Sequence, residues 1–346
     1  MILTRTPFRV TLGGGGTDLP SFYEKHGGYV LATAIDKYMY VALNVPVADR
    51  LVRLHYTQSE TVGDVAELKH ELAREALLRH GIRDAVEIAS LADLPAGTGL
   101  GSSSSYLVGL LHAIRSYLEL PLSAAAIADE ACDIELNALR KPIGKQDQYM
   151  AAFGGLTELR IDDRGRVAVE KLTLPAHAVA EFVAKTHLYY TNIRRDATDI
   201  LARQDGALRG NGGSSESVEA SLCEIKQIGE AIGEAFRKTD FDRFGSLMHD
   251  HWLAKKRLSS DVTVAPMEEL YDRVRRDYGV TGGKIAGAGG GGFMMLYCAG
   301  DGKALTGFME RAGFERLSWT VDFSGSRVVS NLLVTRSQKR HGTVKA

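Results

Sequence analysis

Cysteine is nearly missing from this chain. Cys132, Cys223 and Cys298 are scattered through 346 residues, which suits neither a disulfide framework nor a thiolate metal cluster and fits a reducing cytoplasm. A basic surplus is missing too. Lys and Arg number 42 against 43 Asp and Glu, a net charge of −1, so neither a nucleic-acid partner nor an anionic membrane is expected. No uncharged apolar run reaches bilayer-spanning length. The start, Met1-Ile-Leu-Thr-Arg-Thr-Pro7, lacks the apolar core and cleavage pattern of a signal peptide. There is no internal repeat. The histidines, His249 and His251 included, show no metal spacing on one helical face and read as structural.

What is present describes a globular chain with a full core: 45% hydrophobic and 25% charged residues. Its length exceeds the usual single-core size, so two joined domains are expected, residues 1–175 and 176–336, with a polar, basic tail at 337–346.

The most informative stretch is Pro95-Ala-Gly-Thr-Gly-Leu-Gly-Ser-Ser-Ser-Ser105. Gly97, Gly99 and Gly101 alternate, four serines follow, and Leu107, Val108, Leu110, Leu111, Ile114, Tyr117 and Leu118 then recur at helical spacing until Pro121. A glycine-rich loop feeding a helix N-terminus lets the backbone approach an anion and points free N–H groups at it. The serine hydroxyls can cap the helix, bond phosphate oxygens or ligate a hard cation. Familiar templates do not fit. The P-loop requires a lysine that is not here, the nucleophile elbow requires glycines flanking one serine, and the dinucleotide fingerprint places its third glycine one position later.

Along the chain, residues 2–12, 29–45, 51–56 and 86–90 read as strands. Helices are expected from Thr17 to Tyr23, over 65–80, from about Ser105 to Glu119, over 123–139 and at Gln146–Phe153. Residues 156–171 resemble a hairpin turning at Asp162–Gly165, and a strand covers Thr186–Thr191. The polar stretch 204–215 reads as a mobile loop, a linker or a lid. Helices follow at 218–238, 240–258 and 266–278, then a turn at Gly287–Gly292 and a strand at Phe293–Cys298. Gly287-Ala-Gly-Gly-Gly-Gly292 contains a GxGxxG string, but the apolar Phe293-Met-Met-Leu-Tyr297 behind it is strand-like where a dinucleotide fold needs a helix.

Asp147 stands at a helix start in Gly144-Lys-Gln-Asp-Gln148, and Glu135 lies on the preceding helix. Taken singly, the first reads as a cap and the second as a surface carboxylate. Taken together, one carboxylate with a hydroxyl can hold ATP-bound magnesium while the other accepts a hydroxyl proton. Arg9 and Asp18 read individually as a strand-end residue and a helix cap.

Gly99-Leu-Gly-Ser-Ser-Ser104 closely resembles motif two of the GHMP kinases, the galactokinase, homoserine kinase, mevalonate kinase and phosphomevalonate kinase superfamily. Thr6-Pro-Phe-Arg-Val10 with Thr17-Asp18 is similar to motif one of galactokinases, with Phe8 in place of glycine and Gly15-Gly16 in place of a Glu-His pair. Gly287–Gly292 matches the placement of motif three. Gly13–Tyr23, Gly144–Tyr149 with Phe153-Gly-Gly155, and Lys284–Phe293 resemble the D-glycero-D-manno-heptose 7-phosphate kinases, and fucokinase domains are similar.

The resemblance implies an α+β, two-domain fold, with an N-terminal ribosomal-protein-S5-like domain and a C-terminal ferredoxin-like domain. It implies ATP and Mg2+ as cofactors, with a sugar phosphate phosphorylated at its anomeric hydroxyl. An unphosphorylated sugar such as L-fucose is the alternative substrate, and a silent sugar sensor is a further one. A homodimer is compatible with the sequence. Carried over by position, Asp147 is the base and Arg9 neutralises charge beside it. Pro95, Gly97, Gly99, Leu100, Gly101, Ser102, Ser103 and Ser104 hold the nucleotide, and Ser103 and Glu135 the metal. Thr17, Asp18, Gly144, Lys145, Arg194, Gly289 and Gly290 meet the substrate. Lys145, Arg194 and Arg195 are candidates for a distal phosphate.

Overall fold

The computed structural model describes residues 1–193, 197–210, 213–258 and 265–333. The first sheet is built on an antiparallel pair, β1 (Ile2–Gly13) and β2 (Gly28–Asn44), with α1 (Pro20–His26) between them. Their pairing slips register at Pro7/Phe8. Proline has no N–H to give the ladder, so strand interiors tolerate it mainly at such irregularities. Next come β3 (Val52–His55), β4 (Ser59–Val62), α2 (Glu71–Arg79) and β5 (Val86–Ala92). The helix expected over 65–80 is divided: Val65–Glu67 is a separate 3-10 turn, capped by the Asp64 carboxylate.

Then follow α3 (Ser102–Tyr117), α4 (Ala124–Cys132), α5 (Gln146–Phe153), β6 (Leu156–Ile161) and β7 (Val167–Lys171). The long β2 divides one edge between two partners, its first half pairing β6 and its last residues pairing β5. The sheet runs β4-β3-β5-β2-β1, with β6 and β7 branching from β2, and only the β3–β5 pair is parallel. α3 lies on β1 and β2. Leu107, Leu110, Leu111 and Ile114 are buried along it, each stabilising by roughly 1.5–3 kcal/mol. That outweighs the ~1 kcal/mol cost of Gly109 in a helix. Gly109 is needed for closeness, because a Cβ there would stand 2.8 Å from the Thr6 hydroxyl.

The rest of the chain contributes α6 (Ala176–Lys185), β8 (Thr186–Tyr190), α7 (Ala197–Arg209), α8 (Gly213–Arg237), α9 (Phe241–Lys256) and α10 (Ala265–Asp277). It ends with β9 (Val280–Ile285), β10 (Phe293–Cys298), α11 (Gly302–Arg311), β11 (Arg316–Leu317) and β12 (Arg327–Asn331). The second sheet, β11-β8-β10-β9, is wholly antiparallel. β12 returns to pair with β1, so the described chain begins and ends on the first sheet.

One expectation is corrected. Residues 204–209 belong to α7 rather than to a mobile loop. Gln204 and Leu208 sit one turn apart and are both buried. Leu208 joins Phe22, Val218, Leu222, Ile225, Ala254 and Leu258 in a cluster that ties α7 to α1, α8 and α9. Tertiary burial here overrides the weak helix propensity of the Gly and Asp in the segment. The tail at 337–346 lies outside the described residues. Among those described, no helix is long and apolar enough to cross a membrane.

Candidate active site

The alternating glycines have a backbone cause. Gly97, Gly99 and Gly101 all take left-handed φ values, 76°, 77° and 81°, which side chains rarely adopt. Gly101 is the N-cap of α3, so the loop delivers its turns directly to the helix end where unpaired N–H groups gather. The loop also meets the second glycine-rich segment. A Cβ on Gly99 would lie 2.7 Å from the Ala286 carbonyl oxygen, and one on Gly287 2.7 Å from the Gly99 Cα. Motif two and motif three therefore touch backbone to backbone.

Asp147, in the first turn of α5, stands at this junction. Its carboxyl is the nearest group to a Cβ built on Gly101, 3.2 Å away. Arg9 donates to Asp147 Oδ1 from Nε at 2.7 Å and from Nη1 to the Gly99 carbonyl at 2.6 Å. The Arg9 amide donates to Leu100 O at 3.1 Å. A nearly buried guanidinium thus holds both the loop and the carboxylate, which keeps partial solvent access.

Glu135 is not the surface carboxylate that its isolated position suggests. It is 1% exposed and sits on a π-helical turn, Asp133–Ala138, at the end of α4. Such turns change which side chain faces inward and recur at functional sites. Its Oε2 accepts from Ser104 Oγ at 2.8 Å and from Gln148 Nε2 at 2.6 Å. Burial pushes its carboxyl up to about 7, although those two hydrogen bonds pull it down. Its Oε1 is buried without a partner, as is Gln148 Oε1. Unpaired buried oxygens of this kind are costly, and an all-oxygen set beside a serine hydroxyl fits a hard divalent cation. Ser104, not Ser103, bonds Glu135. Ser103 is exposed on the cleft wall.

Asp18 is buried on the far side of Asp147. Gly16 N–H donates to its Oδ1 at 3.0 Å and Gln146 N–H to its Oδ2 at 3.1 Å, with the Gln146 amide adding two more bonds. Burial raises its pKa despite those donors, and the Asp147 charge adds to the rise. A Cβ on Gly144 would overlap the Asp18 carboxyl, so glycine at 144 is what lets α5 close on it. Gln146, unremarked in the sequence, is the residue that binds Asp18 to Thr11, whose hydroxyl donates to Gln146 Oε1 at 2.5 Å.

These groups line one cleft of about 580 Å3. Arg9, Asp18, Gly97, Gly99, Gly101, Ser102, Ser103, Ser104, Glu135, Gly144 and Asp147 all border it, and Thr17, Lys145, Pro95, Leu100, Gly289 and Gly290 do not. Thr17 Oγ1 is engaged by Gly14 O, Tyr29 O and Tyr29 N. Lys145 donates to Gly165 O at 2.5 Å, lies over the Tyr23 ring and faces a neighbouring cavity. In the third motif, the cleft is bordered by Gly287 and Ala288. Arg194 and Arg195 lie outside the described residues.

Sequence reasoning missed the opposite wall. His251 and Lys255 on α9 and Lys284 on β9 border the cleft and are almost completely buried. Lys255 donates to Ile285 O at 3.1 Å and Gly287 O at 2.5 Å, and Lys284 to Leu12 O at 3.3 Å. Burial, then the charge of Arg9, lowers Lys255 from 10.5 to about 7. Burial, with Lys255 and Arg9, pushes Lys284 well down. The only sequence signal was the one-turn spacing of 251 and 255 near the end of a helix.

Residues 62–155 match the model of the GHMP kinases N terminal domain, and residues 233–310 that of the GHMP kinases C terminal. The chain is 33% identical over 310 residues to the D-glycero-alpha-D-manno-heptose 7-phosphate kinase of Campylobacter jejuni subsp. jejuni serotype O:2, covering 86% of this chain and 89% of that enzyme. It is 28% identical over 327 residues to the L-fucokinase/L-fucose-1-P guanylyltransferase of Bacteroides fragilis, covering 84% of this chain and 34% of that longer protein. The fold is shared with a crystal structure of a D-glycero-D-manno-heptose 1-phosphate kinase from Bacteroides thetaiotaomicron, at TM-score 0.77 and 22% identity over 96% of this chain and 100% of that one. By both domain matches and the Campylobacter jejuni relative, the chain belongs to the GHMP kinases, ATP-using phosphotransferases, and is a sugar kinase.

Proposed function

We propose that the chain transfers the γ-phosphoryl group of ATP to the anomeric hydroxyl of D-glycero-D-manno-heptose 7-phosphate, giving the 1,7-bisphosphate and ADP. The observation that carries the reading is the convergence of Asp147, Arg9 and the Gly97–Ser104 loop at the N-terminus of α3. The choice of acceptor is supported by the Campylobacter jejuni relative.

In this reading, the loop N–H groups and Ser102 and Ser103 bind the nucleotide phosphates. Magnesium, held by Glu135 and the adjoining serine hydroxyls, neutralises phosphate charge when bound. Asp18, fixed by Gln146 and Gly16, orients sugar hydroxyls. Asp147 accepts the anomeric proton as the sugar oxygen bonds to the γ-phosphorus and the bond to the bridging oxygen of ADP breaks. Arg9 holds the Asp147 carboxyl in place and meets charge developing on the transferred group. The transition state is loose, so placement and neutralisation outweigh basicity.

The test is a matched panel of D-glycero-D-manno-heptose 7-phosphate, the unphosphorylated heptose and L-fucose, with ATP consumption and product structure measured. A kcat/KM for the 7-phosphate at least tenfold above the others is expected. Preference for L-fucose, the reading favoured by likeness to the Bacteroides fragilis fucokinase, would replace the heptose assignment.

A further inference from the structure

The wall formed by His251, Lys255 and Lys284 has no task in the mechanism above. Three basic side chains are buried together against the cleft, with both lysines close enough to act on His251 and Lys255 on Lys284. Among the described residues none forms an ion pair with a carboxylate. The acids that border the same cleft are engaged elsewhere: Asp147 with Arg9, Asp18 with Gly16 and Gln146, and Glu135 with Ser104 and Gln148. A cluster of buried cations without an anion is a costly arrangement that folding alone does not favour.

The donors are also incompletely used. An ammonium group carries three N–H donors. Lys255 directs two at backbone carbonyls, and Lys284 directs one, at 3.3 Å. Both ring nitrogens of His251, 1% exposed, are without partners. One donor from Lys255, two from Lys284 and at least one from His251 therefore remain for a ligand. Lysine and histidine N–H groups of this kind match the oxygens of a phosphate monoester.

Position indicates which phosphate. The nucleotide end of the cleft already has its donors in the α3 N-terminus and the serines. Lys284 is fastened to Leu12 O, at the end of β1, where the chain enters the Gly13–Gly16 turn that leads to Asp18. This puts Lys284 at the acceptor end, while Lys255, bonded to Gly287 O, stands nearer the junction with Gly99. Gly15 and Gly16 give that turn no side chains. A Cβ on Gly15 would already press on the Thr11 methyl at 3.1 Å, and one on Gly16 on Leu222 at 3.2 Å. The bare turn leaves the cleft open between Asp18 and the basic wall.

We infer that Lys284, His251 and Lys255 form the binding site for the phosphate the acceptor sugar already carries, the one not transferred. This rests on the phosphorylated-acceptor reading given above and gives that reading its recognition element.

The experiment compares parent enzyme and Lys284→Met in steady-state assays with D-glycero-D-manno-heptose 7-phosphate and the unphosphorylated heptose. The variant should raise KM for the 7-phosphate by roughly 10- to 100-fold. Its KM for unphosphorylated heptose and for ATP should stay within about threefold. An unchanged preference for the 7-phosphate in the variant overturns the site and leaves the substrate reading standing. Equal losses on both sugars place Lys284 at the transferring group and also overturn it. A parent enzyme with no preference for the 7-phosphate removes the substrate reading and this site together. As a check that needs no variant, inorganic phosphate should inhibit the parent competitively against the sugar phosphate. Competition against ATP alone contradicts the assignment.

Discussion

Replacing Lys255 by methionine separates stability from function in a way that can be worked out beforehand. In the ligand-free protein, burial and the neighbouring Arg9 lower Lys255 from 10.5 to about 7. The unfolded chain therefore binds a proton that the folded chain does not, over the whole interval between those values. Stability of the parent must rise with pH from about 7 to about 10.5 and be flat, for this group, below 7. At pH 7.5 the mismatch costs the folded state about 4 kcal/mol, and at pH 9.5 about 1 kcal/mol.

Methionine fills much the same volume and does not titrate, so Lys255→Met abolishes that slope. The variant also leaves Ile285 O and Gly287 O without their donor, a loss of roughly 1–3 kcal/mol per group, but one that does not vary with pH. The quantity to measure is therefore the change in the Tm difference between variant and parent. With an unfolding entropy near 0.7 kcal/mol/K for a chain of this length, about 3 kcal/mol corresponds to about 4 °C. Scanning calorimetry of ligand-free protein at pH 7.5 and 9.5 should show the variant's relative Tm falling by about 4 °C at the higher pH. Removing one positive charge also relieves Lys284, which acts in the same direction. Parallel Tm-against-pH lines would mean that Lys255 is charged in the folded protein, and the reasoning would be refuted.

Asp147→Asn keeps shape and removes the proton acceptor, so kcat should fall by roughly 10²–10⁴ with little change in ATP affinity. Turnover close to the parent's would take the base role from Asp147. Glu135→Ala should move the magnesium titration of activity to higher concentration by about tenfold or more, and a titration that overlays the parent's would be incompatible with a cation at the orphaned Oε1. Glu158, fully buried, accepts from Tyr29 and from Arg237 and so joins β2 and β6 to α8. Its replacement by alanine takes the acceptor from the buried Tyr29 hydroxyl, while Arg237 keeps Glu170 and Glu234, and a loss of about 1–3 kcal/mol is expected in denaturant unfolding. Unchanged stability would mean that solvent satisfies those groups.

The legible parts were those with a local signature. Alternating glycines before a helical period announced the loop and α3, because φ above zero is a demand that a sequence can display. The period-2 runs and the Asp162–Gly165 turn marked β2, β6 and β7 for the same reason. Glu135 and Asp147 stood out only as a pair, and resemblance assigned their roles, because nothing local distinguishes a buried carboxylate from a solvated one. The π-helical turn that carries Glu135 inward leaves no mark in a 3.6-residue pattern. α7 was hidden by Gln204-Asp-Gly206, which reads as loop until Leu208 finds its cluster. Lys284 and Lys255, 29 positions apart, come together only when α9 packs on β9. Gly245 and Gly282 make that packing possible, because a Cβ on Gly245 would overlap Thr281 Oγ1 on β9 and one on Gly282 would overlap Gly245 O on α9.

The meeting of Gly99 with Gly287 restricts how the molecule can vary and how it can open. Each glycine presses on main chain, not on a side chain that could be trimmed, so enlargement at one position has no remedy at the other. Any swing that widens the cleft must either turn about this point or part the two loops altogether. In the second case, the Gly97–Ser104 loop would lose the main-chain support that Gly287 gives it.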